Sequence, residues 1–289
     1  MTASAYLHRL RATGRALVAL MLGGLAVVGA IAAFRQGLLP VVETTFQLSP
    51  ETLSIVRRLG ITVSAIGAYW AYVHWYERRR ATELALRPLP LLLGAGAGVA
   101  LVALPLALLF ALGAYEVVGT RMPTPPLAGV VALIGIAAML EELFYRCLLF
   151  RILERAWGLW PALGVQAAVF AAAHLGNVQA GNAVDAATML LSVSALGLLW
   201  GGIYAMTRNL WVVSAHHAAW NFTILCSGVP LSGIEDWRAL APLESRYVGA
   251  DWLTGGLFGP ESSALVIVTV LLALVIVMRR AHRAATAGG

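Results

Sequence analysis

Eight apolar runs, each near the length that crosses a lipid bilayer, dictate what this chain can become. They are Ala16–Phe34, Leu59–Tyr76, Leu91–Tyr115, Leu127–Phe150, Leu159–Leu175, Thr188–Thr207, Leu210–Cys226 and Ala264–Met278. A spanning helix needs roughly 20 mostly apolar residues. In lipid each run has to satisfy its own backbone polar groups, which selects helices. The expected fold is therefore all-α: a polytopic membrane bundle of about eight transmembrane helices, with both termini cytoplasmic. Composition agrees, since only 12% of the 289 residues are charged, against about 25% in a soluble domain. Pro125 and Pro126 suit the start of the fourth run, and Ser262 and Ser263 stand where they would cap the last. The first run has the basic flank of a signal peptide, Arg9, Arg11 and Arg15. It is expected to stay as an anchor, because seven more runs follow and no cleavage site is clear.

The net charge of +6 comes entirely from arginine, as the chain has no lysine. With a cytoplasmic N-terminus and alternating runs, thirteen arginines fall inside: 9, 11, 15, 78, 79, 80, 87, 151, 155, 208, 279, 280 and 283. Six fall outside (35, 57, 58, 121, 238 and 246), and Arg146 lies within a run. This bias follows the positive-inside rule, and the all-arginine, alanine-rich composition points to a bacterial plasma membrane. The basic balance thus speaks of orientation. No basic stripe with interleaved aromatics is present, so nucleic acid is not expected as a partner.

Three regions are expected. Residues 1–124 form an N-terminal three-helix region, 125–227 a four-helix core, and 228–289 an external loop with the final helix. The longest stretch between runs, Ser227 to Ser263, carries Glu235, Asp236, Glu244, Asp251 and Glu261. It reads as a solvated loop with a short interfacial helix, Trp237 and Trp252 lying at the headgroups. Cys147 and Cys226 read as buried apolar thiols, without disulfide or zinc-ribbon spacing.

One stretch breaks the apolar pattern. "EELFYR", Glu141 to Arg146, lies in the fourth run. Glu141 is ten residues before Arg151, about 15 Å deeper along a helix, near mid-bilayer. A charge there costs a few kcal/mol unless paired or hydrated. Glu142 and Arg146 are at i,i+4 and can pair. Glu141 has no such partner, since Phe144 and Tyr145 occupy those positions. A lone intramembrane carboxylate marks a functional site.

Few other polar groups in the runs can meet it. The fifth run has "FAAAH", Phe170 to His174, and the seventh "HHAAWN", His216 to Asn221, with His217 and Asn221 on one face. His74 and His216 read as packing residues. One carboxylate, two imidazoles and one carboxamide make a hydrolytic set. A carboxyl group out of water can take a proton from an attacking water and return it. An imidazole N–H and an asparagine NH₂ can stabilise the oxyanion of a tetrahedral intermediate.

E-E-x-x-x-R, F-x-x-x-H and H-x-x-x-N, in this order on separate runs, resemble the CPBP family. That family comprises the CAAX-processing type II endopeptidases and the bacterial Abi-type and bacteriocin-processing proteins. The resemblance covers roughly Pro125 to Ser227. It implies an intramembrane, glutamate-dependent endopeptidase acting on a membrane-associated peptide or protein. By that likeness Glu141 with His174 activates water, His217 with Asn221 holds the oxyanion, and Glu142 and Arg146 support the site. No cofactor is expected. Zinc is the alternative, since two histidines and two carboxylates are acceptable ligands, but no metalloprotease spacing is present and Arg146 is expected to occupy Glu142.

Two other functions fit the same residues. A non-catalytic membrane scaffold or immunity protein would tolerate Glu141→Gln. A proton-coupled transporter would bring a through-path and internal repeats, and the sequence has no clear repeat. The spacing also sets a geometric conflict: it puts His174 near the outer end of its helix, His217 near the inner start of its own, and Glu141 between.

Overall fold

The computed structural model describes residues 3–122, 126–177 and 183–287. Nearly all of it is helical. The elements are α1 (Ala3–Ala33), α2 (Leu39–Phe46), α3 (Pro50–Ala71), α4 (Pro88–Ala111), β1 (Tyr115–Thr120), α5 (Leu127–Glu142), α6 (Arg151–Trp157), α7 (Leu159–Ala173), α8 (Ala183–Thr207), α9 (Leu210–Cys226), α10 (Glu235–Arg238), β2 (Leu243–Tyr247), α11 (Asp251–Thr254) and α12 (Ala264–Ala287). Wider π-helical turns over Phe34–Leu38, Tyr72–Tyr76 and Leu143–Phe150 join α1 to α2, extend α3, and join α5 to α6. Pro126 caps the start of α5, while Pro125 lies outside the described residues.

Apolar side chains cover the outside of the bundle, and its apolar core encloses a few charged ones. Leu17, Leu25, Leu92, Leu104 and Leu272 are each more than half exposed, whereas Glu142 and Arg146 are fully buried. That is the arrangement of a protein solvated by lipid, and the chain is an integral membrane protein. Among the described residues, six helical segments are long and apolar enough to cross a bilayer: Arg9–Phe46, Pro88–Ala111, Leu127–Trp157, Leu159–Asn177, Ala186–Thr207 and Ala264–Thr286. Two of the eight expected runs fall outside this set. The run in α3 follows directly on Arg57 and Arg58, and α9 has only 17 residues. Helix α9 needs little apolar length because ten of its residues are buried by its neighbours.

Helix α9 packs chiefly on α4 and α5, α7 on α8, and α8 on α12. Small residues set the α4–α9 distance. A Cβ on Gly98 would lie 2.2 Å from the His216 carbonyl oxygen, and one on Gly94 2.8 Å from that of Val212. Backbone meets backbone here, the contact that glycines four apart permit. Gly98→Ala is expected to cost about 1–3 kcal/mol as overpacking and to shift α9. Thermal unfolding in detergent checks this, with Gly96→Ala, where a Cβ meets nothing within 4 Å, as the neutral comparison.

The stretch 227–263 is not the solvated loop expected from its acidic residues. It folds back against the helix ends. Strands β1 and β2 pair antiparallel, Tyr115 opposite Tyr247 and Thr120 opposite Leu243, with a bulge between Val117 and Gly119. The ribbon ties this stretch to the connection after α4, and Tyr115, read as the end of the third run, opens it. Gly259 has φ +101, and a Cβ there would lie 2.1 Å from the Pro230 oxygen, so only glycine fits this turn. Trp252 is exposed, but Trp237 turns inward rather than to the headgroups. Ser263 Oγ is buried without a hydrogen bond, so its side chain does not cap α12.

A second polar cluster lies at the other end of the bundle. Glu77 Oε2 meets Arg79 Nε at 2.7 Å and Arg151 Nη1 at 2.8 Å, and Glu83 Oε1 meets Arg79 Nη2 at 2.6 Å. Burial alone would raise the Glu83 carboxyl, but hydrogen bonds from Arg79 and Tyr69 outweigh it and hold the group at about 2. This cluster locks the connection after α3 onto α6.

Candidate active site

Glu141 and Glu142 end α5, where the backbone widens into the π turns. Such turns recur at functional sites. Glu142 is surrounded by protein on both oxygens. Arg146 Nε lies 3.0 Å from Oε2, an ion pair of charge contact, since the N–H makes no hydrogen bond there. His217 Nδ1 lies 2.8 Å from Oε1. The expected Glu142–Arg146 lock is present, and it also fixes a histidine of α9. Arg146 is held by more than this carboxylate. Its guanidinium carbon is 4.7 Å from the Phe170 ring centre and 5.8 Å from that of Trp200, a cation–π enclosure. Its Nη2 reaches the Gly197 oxygen.

His217 stacks on Trp200, ring centres 3.7 Å apart. Its Nε2 is 3.9 Å from Glu141 Oε2. The Glu141 side chain is partly exposed, yet Oε2 itself is buried with no hydrogen-bond partner. Asn221 lies one turn beyond His217 on the same face, and its Oδ1 is likewise buried and unbonded. His174 closes α7, and its Nδ1 is 2.8 Å from the Phe170 carbonyl oxygen. A carbonyl only accepts, so Nδ1 carries the hydrogen and Nε2 is the basic atom of the neutral ring.

Glu141, His174, His217 and Asn221 line one small cavity, together with Phe170, Trp200 and residues of the 227–263 stretch. Its free volume of about 30 Å³ is room for one or two water molecules. The conflict of heights disappears because His217 is the eighth of 17 residues in α9, at mid-helix. Asn221 is nearer the end that faces the loop, where α7 also finishes. The two histidines read as packing residues stay apart from this cavity. His216 accepts the Trp200 indole N–H at 3.1 Å. His74 is exposed and stacks on Trp70. Cys147 is buried and Cys226 part-buried, both free.

Four lining residues of the 227–263 stretch were not expected at the site: Ser232, Ile234, Trp237 and Glu261. Glu261 had been grouped with the solvated acids. Its one signal is position, directly before an apolar helix in "PESS". Trp200, on α8, carried no signal beyond its size.

The donors nearest the cavity are already engaged in part. Glu142 is occupied by Arg146 and His217. Among the described residues, no three His, Cys, Asp or Glu side chains converge as ligands.

Residues 123–223 match the family model described as Type II CAAX prenyl endopeptidase Rce1-like. The match covers about a third of the chain and bears out the resemblance to CPBP endopeptidases over that stretch. It contains Glu141, Glu142, Arg146, His174, His217 and Asn221, and it ends before the loop that supplies Ser232 and Glu261. No curated protein matches the chain.

Proposed function

We propose that this integral membrane protein, with an Rce1-like segment at its core, is a glutamate-dependent intramembrane endopeptidase. It hydrolyses a peptide bond in a membrane-associated peptide or protein. The family match points to a peptidase in general terms. The observation that carries the finer reading is the unbonded Oε2 of Glu141 on the wall of a water-sized cavity shared with His174, His217 and Asn221.

Charge counting supports the assignment of roles. Glu141 and Glu142 bring two negative charges into a low-dielectric interior, and Arg146 brings one positive charge. Buried charge is tolerated when compensated, so one further proton belongs to this group. We assign it to Glu141 or His217, whose facing atoms Oε2 and Nε2 are 3.9 Å apart and not hydrogen-bonded. With the proton on His217, both ring nitrogens are donors: Nδ1–H to Glu142, and Nε2–H toward the cavity. Glu141 is then an ionised base.

Water held by Glu141 and His174 loses a proton to Glu141 as its oxygen bonds to the substrate carbonyl carbon. The oxyanion that forms is met by His217 Nε2–H and the Asn221 amide, donors fixed beforehand by Glu142, Trp200 and the helix itself. Collapse breaks the C–N bond, and the leaving amine takes a proton.

The test is cleavage of membrane-anchored peptides by the purified protein in liposomes, read by mass spectrometry. Asn221→Ala is expected to lower kcat by about 10²–10³-fold, as loss of one oxyanion donor does, with little change in KM. Cleavage is expected to be indifferent to a chelator. Loss of activity with chelator, restored by zinc, would overturn the metal-free mechanism. Equal activity of wild type and Asn221→Ala would remove the oxyanion role.

A further inference from the structure

Glu261 lies outside the family-matched segment and on the turn just before α12. It is 4% exposed and lines the same cavity as Glu141 and His174. Ser232 Oγ donates to its Oε2 at 2.6 Å. The Trp220 indole N–H lies near it without hydrogen-bonding, and His174 is close enough to act on it electrostatically. Its neighbours are thus donors, which suit a carboxylate. Yet among the described ion pairs no arginine reaches it, in contrast to Glu77, Glu83, Glu142 and Glu154. A buried carboxylate without a permanent cation requires a proton in its neighbourhood. Among the described titratable groups that line the cavity, Glu141, His174 and His217, His174 acts on Glu261 electrostatically. Burial pushes the Glu261 carboxyl up, and Ser232 and His174 pull it back.

The loop is built to hold this arrangement. Asn177, three residues after His174, donates its Nδ2–H to the Ser232 carbonyl at 2.9 Å. Gly233 N–H donates to the Phe258 carbonyl. A Cβ on Gly233 would lie 2.6 Å from the Asn177 oxygen. The end of α7 and the turn bearing Glu261 are therefore fixed to the same short segment.

We infer that Glu261 is a positioning residue of the site, forming with His174 a pair that holds one proton for the leaving amine. The inference rests on the proteolytic reading and extends it. Glu141 removes a proton from water, and the C–O bond forms. The C–N bond then breaks, and the amine nitrogen takes the proton from the His174–Glu261 pair. The proton on Glu141 restores the pair after product leaves, so the sum is peptide plus water to acid plus amine. Two carboxylates in one cavity thereby work in opposite protonation states, Glu141 as base and Glu261 behind the acid.

The test is Glu261→Gln in the full-length protein. The expected result is a kcat lower by about 10–100-fold with KM unchanged. In a His174→Ala background the same change is expected to cost nothing further, since groups acting through one another are not additive. Glu261→Asp is expected to recover part of the loss. An unchanged kcat, or a loss that adds in full to that of His174→Ala, would overturn the inference. Equal activity of wild type and Glu141→Gln would sink the Glu141 base assignment and leave the Glu261 comparison standing.

A readout free of turnover decides the matter if the Glu261→Gln protein misfolds or wild type cleaves none of the peptides tested. Carbethoxylation of His174 is mapped by mass spectrometry against exposed His282 in the same sample. Removing the Glu261 carboxylate with Glu261→Gln, or drawing it back with Glu261→Asp, is expected to change the His174 rate by about threefold or more. An unchanged rate in both variants would overturn the pairing.

Discussion

Glu141→Gln is expected to abolish most cleavage, lowering kcat by about 10²–10⁴-fold, the range for loss of a general base, while the protein stays folded. The two halves of this expectation have separate causes. Glutamine keeps the shape of the side chain, and Glu141 Oε2 has no hydrogen bond to lose. The nearest charged neighbour, His217 Nε2, is 3.9 Å away, beyond hydrogen-bond distance. What disappears is the capacity to accept a proton. The measurement is steady-state cleavage beside thermal unfolding in the same detergent. An active Glu141→Gln protein would favour the scaffold reading, which has no use for a base at this position.

Arg146→Ala is expected to do the reverse, by destroying the fold rather than the chemistry. Glu142 and Arg146 are both fully buried. Removing one partner leaves the other as an uncompensated charge, at about 3–5 kcal/mol. The enclosing rings of Phe170 and Trp200 would also lose their cation. The next residue supplies a probe: Cys147 is a free thiol with no exposed surface. Its reaction with a thiol-specific fluorophore on heating reports opening of this part of the bundle. The transition is expected to fall by many degrees in Arg146→Ala. It should barely move in Arg246→Ala, whose pair with Glu116 is exposed, because surface pairs contribute about 0–1 kcal/mol. A double change of Glu142 and Arg146 to glutamine is expected to be less harmful than the single one. A wild-type transition in Arg146→Ala would mean that the pair contributes nothing to stability.

The helices and the charges within them were legible in the sequence for one reason. Lipid penalises every polar group, so each intramembrane charge stands out, and Glu141, His174, His217 and Asn221 could be named before any coordinates. What lay hidden was decided by contacts between distant segments. Glu261 sits in an acidic, glycine-rich stretch whose composition is that of a solvated loop. It is buried because Gly259 takes a positive φ against Pro230 and because Asn177 holds Ser232. The β1–β2 ribbon escaped notice because Tyr115 extends an apolar run and Leu243–Tyr247 is short and polar. The heights of His174 and His217 were misjudged because α9, enclosed by α4 and α5, has no need of full spanning length.

The eight π-helical residues after Glu142 set an angular relation between the two ends of one rod. Arg146 pairs with Glu142 behind the cavity wall, while Arg151 binds Glu77 and the Cys147 carbonyl at the far cluster. In a regular α-helix, residues five apart point about 140° away from each other. In a stretch bonded i→i+5 each turn holds more residues, which narrows that angle, and both arginines face the interior, 0% and 6% exposed. The segment from Leu143 to Phe150 therefore acts as a phase adjuster. Its apolar side chains can be exchanged for others of like volume, but its residue count is fixed. Deleting one residue would tighten the coil and swing one cluster by about 100°, turning a guanidinium into lipid. Length polymorphism should thus be harder to accommodate here than sequence polymorphism.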